Sequence, residues 1–319
     1  MRSARSPRRR AAAAAAAVVA GALMAVGGCS SGGSAEPSAV SSALNVQPGS
    51  TAGTGGPAGT GGTAGGLPRP AHVVVVVEEN HSYADIIGSG DAPYLNELAH
   101  SGASFTASYA VTHPSQPNYL ALFSGSTQGI TDDSCPHTFT GPSLASELVA
   151  AGHSFAGYSE SLPSPLFLGC TAGDYARRHN PWVNFSNLPT ADNRAFSDFP
   201  TDPSGYASLP TLSFVIPNVQ HDMHDGSVRE GDDWLRTHLD AYASWARTHN
   251  SLLVVTWDED DNSASNQIPT LVTGANVRPG SYAEPVDHYR LLRTLLALYA
   301  LPPIGQSADR APITDVWQH

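Results

Sequence analysis

The sequence predicts an α/β domain with a mostly parallel central sheet over residues 71–319. Two observations predict it. Short, β-branched apolar runs recur that can be buried on both faces, as strands of a parallel sheet are. These runs alternate with longer segments of helical periodicity, the pattern of strand–helix–strand units.

The elements follow in chain order. His72 opens a run of five valines, a strand over 72–77, which stops at Glu78-Glu79-Asn80-His81. Helical spacing fits 92–101. Residues 112–119, Thr-His-Pro-Ser-Gln-Pro-Asn-Tyr, form a turn that leads into the apolar stretch 120–125. There Ser115 sits between two prolines at a helix start, where free amides favour an anion. A helix over 143–151 precedes a short strand over 154–159. A strand over 213–218 ends in Val-Gln-His-Asp-Met-His-Asp-Gly226. A helix over 231–249 leads to a strand over 251–257, which ends in Asp258-Glu259-Asp260-Asp261. A strand over 270–273 and a helix over 287–299 complete the pattern. Ligands of such sheets bind beyond the carboxyl ends of the strands. Three strands deliver carboxylates, amides and imidazoles to that edge, which predicts a metal or catalytic site there.

The chain has 319 residues, with 16 Lys+Arg against 28 Asp+Glu, a formal net charge of −12. From residue 71 onward it carries 10 Arg, no Lys and 27 acidic residues. So acidic a domain is a poor partner for nucleic acid or an anionic membrane surface. The lack of lysine excludes P-loop and Schiff-base chemistry.

Residues 1–29 read as an export signal: five arginines, an Ala-rich apolar stretch, and a small-residue zone ending at Cys29. Val26-Gly-Gly-Cys29 resembles a lipobox, so Cys29 is the expected lipidation site. The alternative is an ordinary signal peptide. Residues 30–70 are rich in Gly, Ser, Thr, Ala and Pro and read as a flexible tether. The expected protein is therefore exported, and reaches a membrane only through a lipid anchor. Cys135 and Cys170 remain in the domain, and an oxidising compartment predicts a disulfide between them; two buried thiols are the alternative.

Glu79, Asn80, Asp258 and Glu259 are oxygen donors. Such a set suits one hard divalent ion, Ca²⁺, Mg²⁺ or Mn²⁺, better than Zn²⁺. Asp260 and Asp261 read more readily as a solvated turn. Asn118, three residues after Ser115, could donate to an oxyanion. His113, His179, His221, His224 and His288 are candidate phosphate donors or general acids. Arg177-Arg178-His179 is a basic spot in an acidic domain, and an arginine fork suits phosphate.

Taken together, Glu78-Glu-Asn-His-Ser-Tyr, residues 112–125, Tyr175-Ala-Arg-Arg-His-Asn-Pro-Trp, Asn218-Val-Gln-His-Asp-Met-His-Asp-Gly and Thr256-Trp-Asp-Glu-Asp-Asp resemble the bacterial acid phosphatase and phospholipase C phosphoesterases, of the alkaline phosphatase-like superfamily. The resemblance runs in order through nearly all of 71–319. It implies a three-layer domain in which Ser115 is the nucleophile and Asn118 binds a phosphoryl oxygen. Glu79, Asn80, Asp258 and Glu259 become the metal ligands, and His179 and His224 line the phosphate pocket. His113 and His288 match in context, Arg178 replaces a frequent lysine at the phosphate, and His221 stands where relatives carry Asn. Cys135 and Cys170 match the family's cysteine pair.

The implied activity is that of an acid phosphatase, hydrolysing phosphate monoesters through a metal-assisted phosphoserine with an acidic optimum set by protonated histidines, on a phosphorylated small molecule or a phosphoinositide such as phosphatidylinositol 3-phosphate. A monomer is expected. A phospholipase C-type diesterase is the alternative enzyme, although such relatives are longer. A surface lipoprotein that binds a metal or phosphorylated ligand without turnover is the alternative of another class.

Overall fold

The computed structural model describes residues 66–318. The predicted leader, Cys29 and tether residues 30–65 lie outside the described residues.

Eight strands form one sheet: β1 His72–Glu78, β2 Ala103–Phe105, β3 Phe155–Ser159, β4 Asn193–Ala195, β5 Leu212–Ile216, β6 Ser251–Trp257, β7 Thr270–Gly274 and β8 Gly280–Tyr282. Their order across the sheet is β8-β2-β7-β6-β1-β5-β3-β4. β1 pairs in parallel with β5 and β6, and β3 pairs in parallel with β4 and β5. β7 is antiparallel to both its neighbours, and β8 is parallel to β2. The sheet is thus mostly parallel, with β7 alone reversed.

Each strand of the centre is buried on both faces, as its unbroken apolar run requires. Val73, Val75 and Val77 face a core shared with Leu120 and Phe123 of α2 (Ser115–Ser124), Leu148 of α3 (Leu144–Ala150) and Leu292 of α5 (His288–Leu298). Val74 and Val76 face a second core with Leu95 and Leu98 of α1 (Pro93–Ser101) and Leu235 and Leu239 of α4 (Val228–Ala246). Three layers, helix–sheet–helix, result.

The helix ends have local causes. At α4, Ser227 Oγ accepts from Glu230 N while Glu230 Oε2 accepts from Ser227 N. This reciprocal cap starts the helix three residues before the predicted 231. The first turn of α1 is capped from another element, since Asp232 of α4 accepts from Tyr94 N and Leu95 N at 3.0 and 2.8 Å. Gly125 ends α2 at φ +70°, and a Cβ there would collide with Ile304 O. The three-residue strands β2, β4 and β8 were not predicted, because a period cannot be read over three residues. Among the described residues, no helix is long and apolar enough to cross a membrane.

Candidate active site

The site is assembled where β1 and β6 end side by side. Parallel pairing runs from His72–Ser251 to Glu78–Trp257, and Asp258 N then donates to Glu78 O at 3.0 Å. The residues that follow both strands, Glu79-Asn80 and Asp258-Glu259, are therefore neighbours. Asn80 takes a left-handed backbone, φ +52°, and its amide donates to Asp258 Oδ1 at 3.3 Å. Alternation along β1 separates the two glutamates. Glu79 faces α2. Glu78, on the other face, is fully buried with both carboxylate oxygens unpartnered. Burial, then the charge of Asp222, holds Glu78 well above the ordinary carboxylate range.

Helix α2 begins at Ser115, which is 2% exposed. Its Oγ donates to Glu79 Oε2 at 2.9 Å and lies 3.4 Å from Glu259 Oε1. The structure thus brings the predicted nucleophile onto the predicted acids. Asn118 sits one turn on and is fully buried. Its Oδ1 accepts from Val111 N and Thr112 N, and its Nδ2 donates to Thr112 O, Pro114 O and Glu259 Oε2. Both its polar atoms are engaged by the chain, which fixes the turn before Ser115. The Gln116 amide, a candidate anion donor at the helix start, is taken by Asp133 Oδ1 at 2.9 Å.

The imidazoles separate by position. His179 is 1% exposed, stacks on Tyr119 at 5.3 Å, and joins two carboxylates. Its Nδ1 is 2.9 Å from Asp222 Oδ2 and its Nε2 is 3.0 Å from Glu79 Oε1. Burial pulls its pKa down, but the charges of Glu79 and Asp222 outweigh that and raise it to about 9. Burial likewise raises Glu79, and the His179 charge reverses this, leaving Glu79 below its ordinary value. His224 lies beside His179, ring centroids 5.7 Å apart. Arg178 Nη2 donates to His224 Nε2 at 3.0 Å, so the His224 proton sits on Nδ1, 2.7 Å from Asp225 Oδ1. Arg178 Nε is also 4.0 Å from Asp133 Oδ2.

His113 bridges Glu259 Oε2 (2.9 Å) and Asp260 Oδ1 (3.3 Å) at the rim. His288 opens α5 fully buried, and burial lowers its pKa. Its Nε2 donates to Asp258 O at 2.6 Å, which positions the 258–259 turn and turns that edge away from a substrate. His221, where relatives carry Asn, pairs with Glu160 at 2.9 Å. Asp260, expected in a solvated turn, is instead fully buried, and accepts from Asn262 N, Ala264 N and Asn266 N. Cys135 and Cys170 form the predicted disulfide, Cα–Cα 5.8 Å.

Sequence reasoning gave no role to Asp222, although it lies inside a quoted motif. Asp222 is fully buried; Oδ2 faces His179, Oδ1 accepts from His224 N at 2.9 Å, and its carbonyl accepts from Glu79 N at 2.8 Å. A carboxylate between two histidines in sequence was the available signal.

The donor set fits a divalent cation. Asp258 is held well above its ordinary pKa by burial and then by the charges of Glu79 and Glu259. Glu259 is raised to about 8 by burial and then by Glu79. Asp258 Oδ2 is buried without a hydrogen-bond partner, and Glu79 Oε1 has only its contact with His179 Nε2 at 3.0 Å. Buried polar atoms are rarely left so, and a cation would satisfy them and cancel the repulsion. Glu79, His179 and His224 each present a ligand atom, all within 4.8 Å of one another. The imidazole members of that trio were expected in the phosphate pocket, not as ligands.

The chain has recognisable relatives. A phosphatidylinositol-3-phosphatase from Mycobacterium tuberculosis is 56% identical over 252 residues, 79% of this chain and 84% of that protein. An acid phosphatase from Aspergillus fumigatus is 29% identical over 75% of this chain, and a probable acid phosphatase from Kluyveromyces lactis 28% identical over 76%. The chain spans 57% and 61% of the length of those two relatives. Among solved structures, a protein in the alkaline phosphatase superfamily from Vibrio parahaemolyticus superposes with a TM-score of 0.52 at 14% identity, covering 77% of this chain and 72% of that one. The lipoteichoic acid synthase from Listeria monocytogenes gives 0.54 at 11% identity, covering 80% and 77%. These two show the fold, the alkaline phosphatase-like arrangement expected from the motifs. The model of the Phosphoesterase family matches residues 89–302, and with that match and the 56% identity over most of both chains, the chain belongs to the Phosphoesterase family.

Proposed function

We propose that the chain is a phosphomonoesterase working through a phosphoserine at Ser115, beside a divalent cation. One observation carries the reading: a buried serine hydroxyl at a helix start donates to a buried glutamate, with the His179 imidazole on that glutamate's other oxygen.

Glu79, Asn80, Asp258 and Glu259 would hold the cation. When bound it supplies Lewis acidity toward the phosphoryl oxygens and offsets the acidic repulsion. The oxygen majority favours Ca²⁺, Mg²⁺ or Mn²⁺. The Glu79–His179–His224 trio supports a second reading, a zinc-type ion with two nitrogen ligands.

The chain's own groups supply the rest. The Ser115 proton passes to the carboxylates it already faces, and Oγ bonds to phosphorus as the ester P–O bond breaks. Arg178, steered by His224 and Asp133, offers its fork to the equatorial oxygens. His179 is the proton donor to the leaving oxygen, since its two carboxylate neighbours keep it charged. Water then cleaves the phosphoserine and regenerates Ser115. Asn118, His113 and His288 hold the turns that present these groups.

The substrate proposal is a phosphate monoester, with a phosphoinositide as the candidate class because a 56% identical relative bears the name phosphatidylinositol-3-phosphatase. Export through residues 1–29, anchoring at Cys29, a tether over 30–70, a catalytic domain over 71–319 and a monomeric state complete the proposal. The test is p-nitrophenyl phosphate hydrolysis by the purified chain, with chelator, with each metal restored in turn, and with Ser115→Ala. Activity lost with Ser115 and restored by metal supports the reading, and unchanged activity in Ser115→Ala rejects Ser115 as nucleophile.

A further inference from the structure

The disulfide anchors a loop that the chemistry above does not use. Between Ser159, which ends β3, and Asp174, residues 161–173 carry no charged side chain, in a domain otherwise dense with acids. Leu166 and Leu168 at its tip are 73% and 58% exposed, the two most exposed large apolar side chains among the described residues. Behind them lies a cavity of about 550 Å³, with Trp182, Phe185 and Leu188 among its walls. Its volume falls within the range of small-molecule sites. Monomeric proteins rarely leave apolar side chains grouped at the mouth of an apolar cavity without a ligand for them.

One short segment joins this face to the active site. Arg177 lines the cavity, and the next two residues, Arg178 and His179, reach His224 and Glu79. Arg177 also fixes the loop: Nη1 donates to Leu168 O at 2.5 Å and Nη2 to His137 O at 3.0 Å. The loop is thus tied down just after Leu166, by Arg177 at Leu168 and by the disulfide at Cys170.

We propose that this tip and cavity are a lipid-docking face: Leu166 and Leu168 enter the hydrocarbon edge of a bilayer, and the cavity takes an acyl chain of the lipid whose phosphate reaches Ser115. The choice of lipid over a protein partner rests on the phosphomonoesterase reading and on the charge pattern. A domain with 27 acidic residues is repelled by anionic headgroups, and its uncharged loop is the part that can approach them. Apolar burial of two leucines then supplies the binding.

The test uses the full chain with Cys29→Ser throughout, so that no acyl anchor contributes. The five native tryptophans are all buried, so Leu166→Trp adds a distinct, solvent-exposed emitter. With phosphatidylcholine vesicles its emission is expected to shift to the blue and to be quenched by brominated acyl chains. In the double variant Leu166→Ser/Leu168→Ser, turnover of phosphatidylinositol 3-phosphate in those vesicles should fall about tenfold relative to p-nitrophenyl phosphate turnover. An unshifted, unquenched Leu166→Trp, or equal loss on both substrates, overturns the proposal. So does a dimer that the double variant dissolves without vesicle quenching, which assigns the face to a second copy. Quenching without hydrolysis of any monoester supports docking and rejects the phosphomonoesterase reading; hydrolysis without quenching does the reverse.

Discussion

Replacing Asp222 by asparagine tests whether His179 works as the proton donor. The side chain keeps its shape and can still accept from His224 N or from His179 Nδ1, at the 2.9 Å separations seen here. What it loses is one charge against a buried imidazole. A hydrogen bond to a charged group contributes roughly 1.5–3 kcal/mol, and carboxylates behind a functional histidine are typically worth about 10–100-fold. A fall in kcat/KM within about 10–100-fold is therefore expected. The pH dependence gives the sign. His179 must be protonated to donate, so activity falls as pH rises through its pKa of about 9. The Asp222 charge is one cause of that elevation, so its removal moves the alkaline limb down by about one unit, the equivalent of roughly 1.4 kcal/mol. The assay is kcat and KM across pH on p-nitrophenyl phosphate and on phenyl phosphate, with thermal melting to verify the fold. Phenolate is the poorer leaving group, so a donor defect lowers phenyl phosphate turnover more. A variant that keeps the alkaline limb and slows both substrates equally refutes the role given to His179.

Removing the metal should expose the repulsion among the acids. Glu259 has a folded pKa of about 8, above its unfolded value near 4.5, so the folded state binds more protons. Its protonated form favours the fold at low pH, and the metal-free chain should lose stability as pH rises from about 4.5 to about 8, a loss that added metal reverses. Calorimetry with and without chelator reads this. Asp258→Asn should raise the melting temperature of the metal-free chain at alkaline pH while lowering activity, by removing a fully buried carboxyl that is costly to ionise beside Glu79 and Glu259; a lower melting temperature there contradicts the assignment. Asn118→Ala should cost stability and activity together, roughly 1–3 kcal/mol for the unpartnered buried groups it leaves, as read by denaturant unfolding. Loss of activity at full stability would return Asn118 to the phosphoryl oxygen. Replacing Cys135 and Cys170 by alanine opens a link of sequence separation 35, a loss of about 4 kcal/mol by loop-closure entropy, measurable as a lower denaturation midpoint.

The central strands were legible because burial on both faces leaves an unbroken apolar run, as in 73–77 and 252–255. Helix boundaries were legible to within three residues, and the shift at α4 came from the Ser227–Glu230 cap. The short strands β2, β4 and β8 were not, since their pairing is set by neighbours distant in sequence. In the site, residue types placed after strands located Glu79, Asp258 and Glu259, and the Pro-Ser-Gln-Pro turn located Ser115. Side-chain direction was beyond a linear reading. Whether Asn118 faces a ligand or its own turn depends on Val111 and Thr112 amides that the fold brings back to it. His288 looked like a pocket histidine and holds a carbonyl instead. Asp222 acts through His179, 43 residues away in sequence, so its place between His221 and His224 marked it without giving its partner.

The most direct test of the account is to trap the intermediate. The full chain, loaded with metal, is mixed with p-nitrophenyl phosphate at low pH, quenched in acid, digested and examined by mass spectrometry. The account predicts one added phosphoryl group on the peptide carrying Ser115, absent in Ser115→Ala and lost on incubation with water. Turnover with an unmodified Ser115 peptide, or a phosphoryl group on an imidazole, would contradict it.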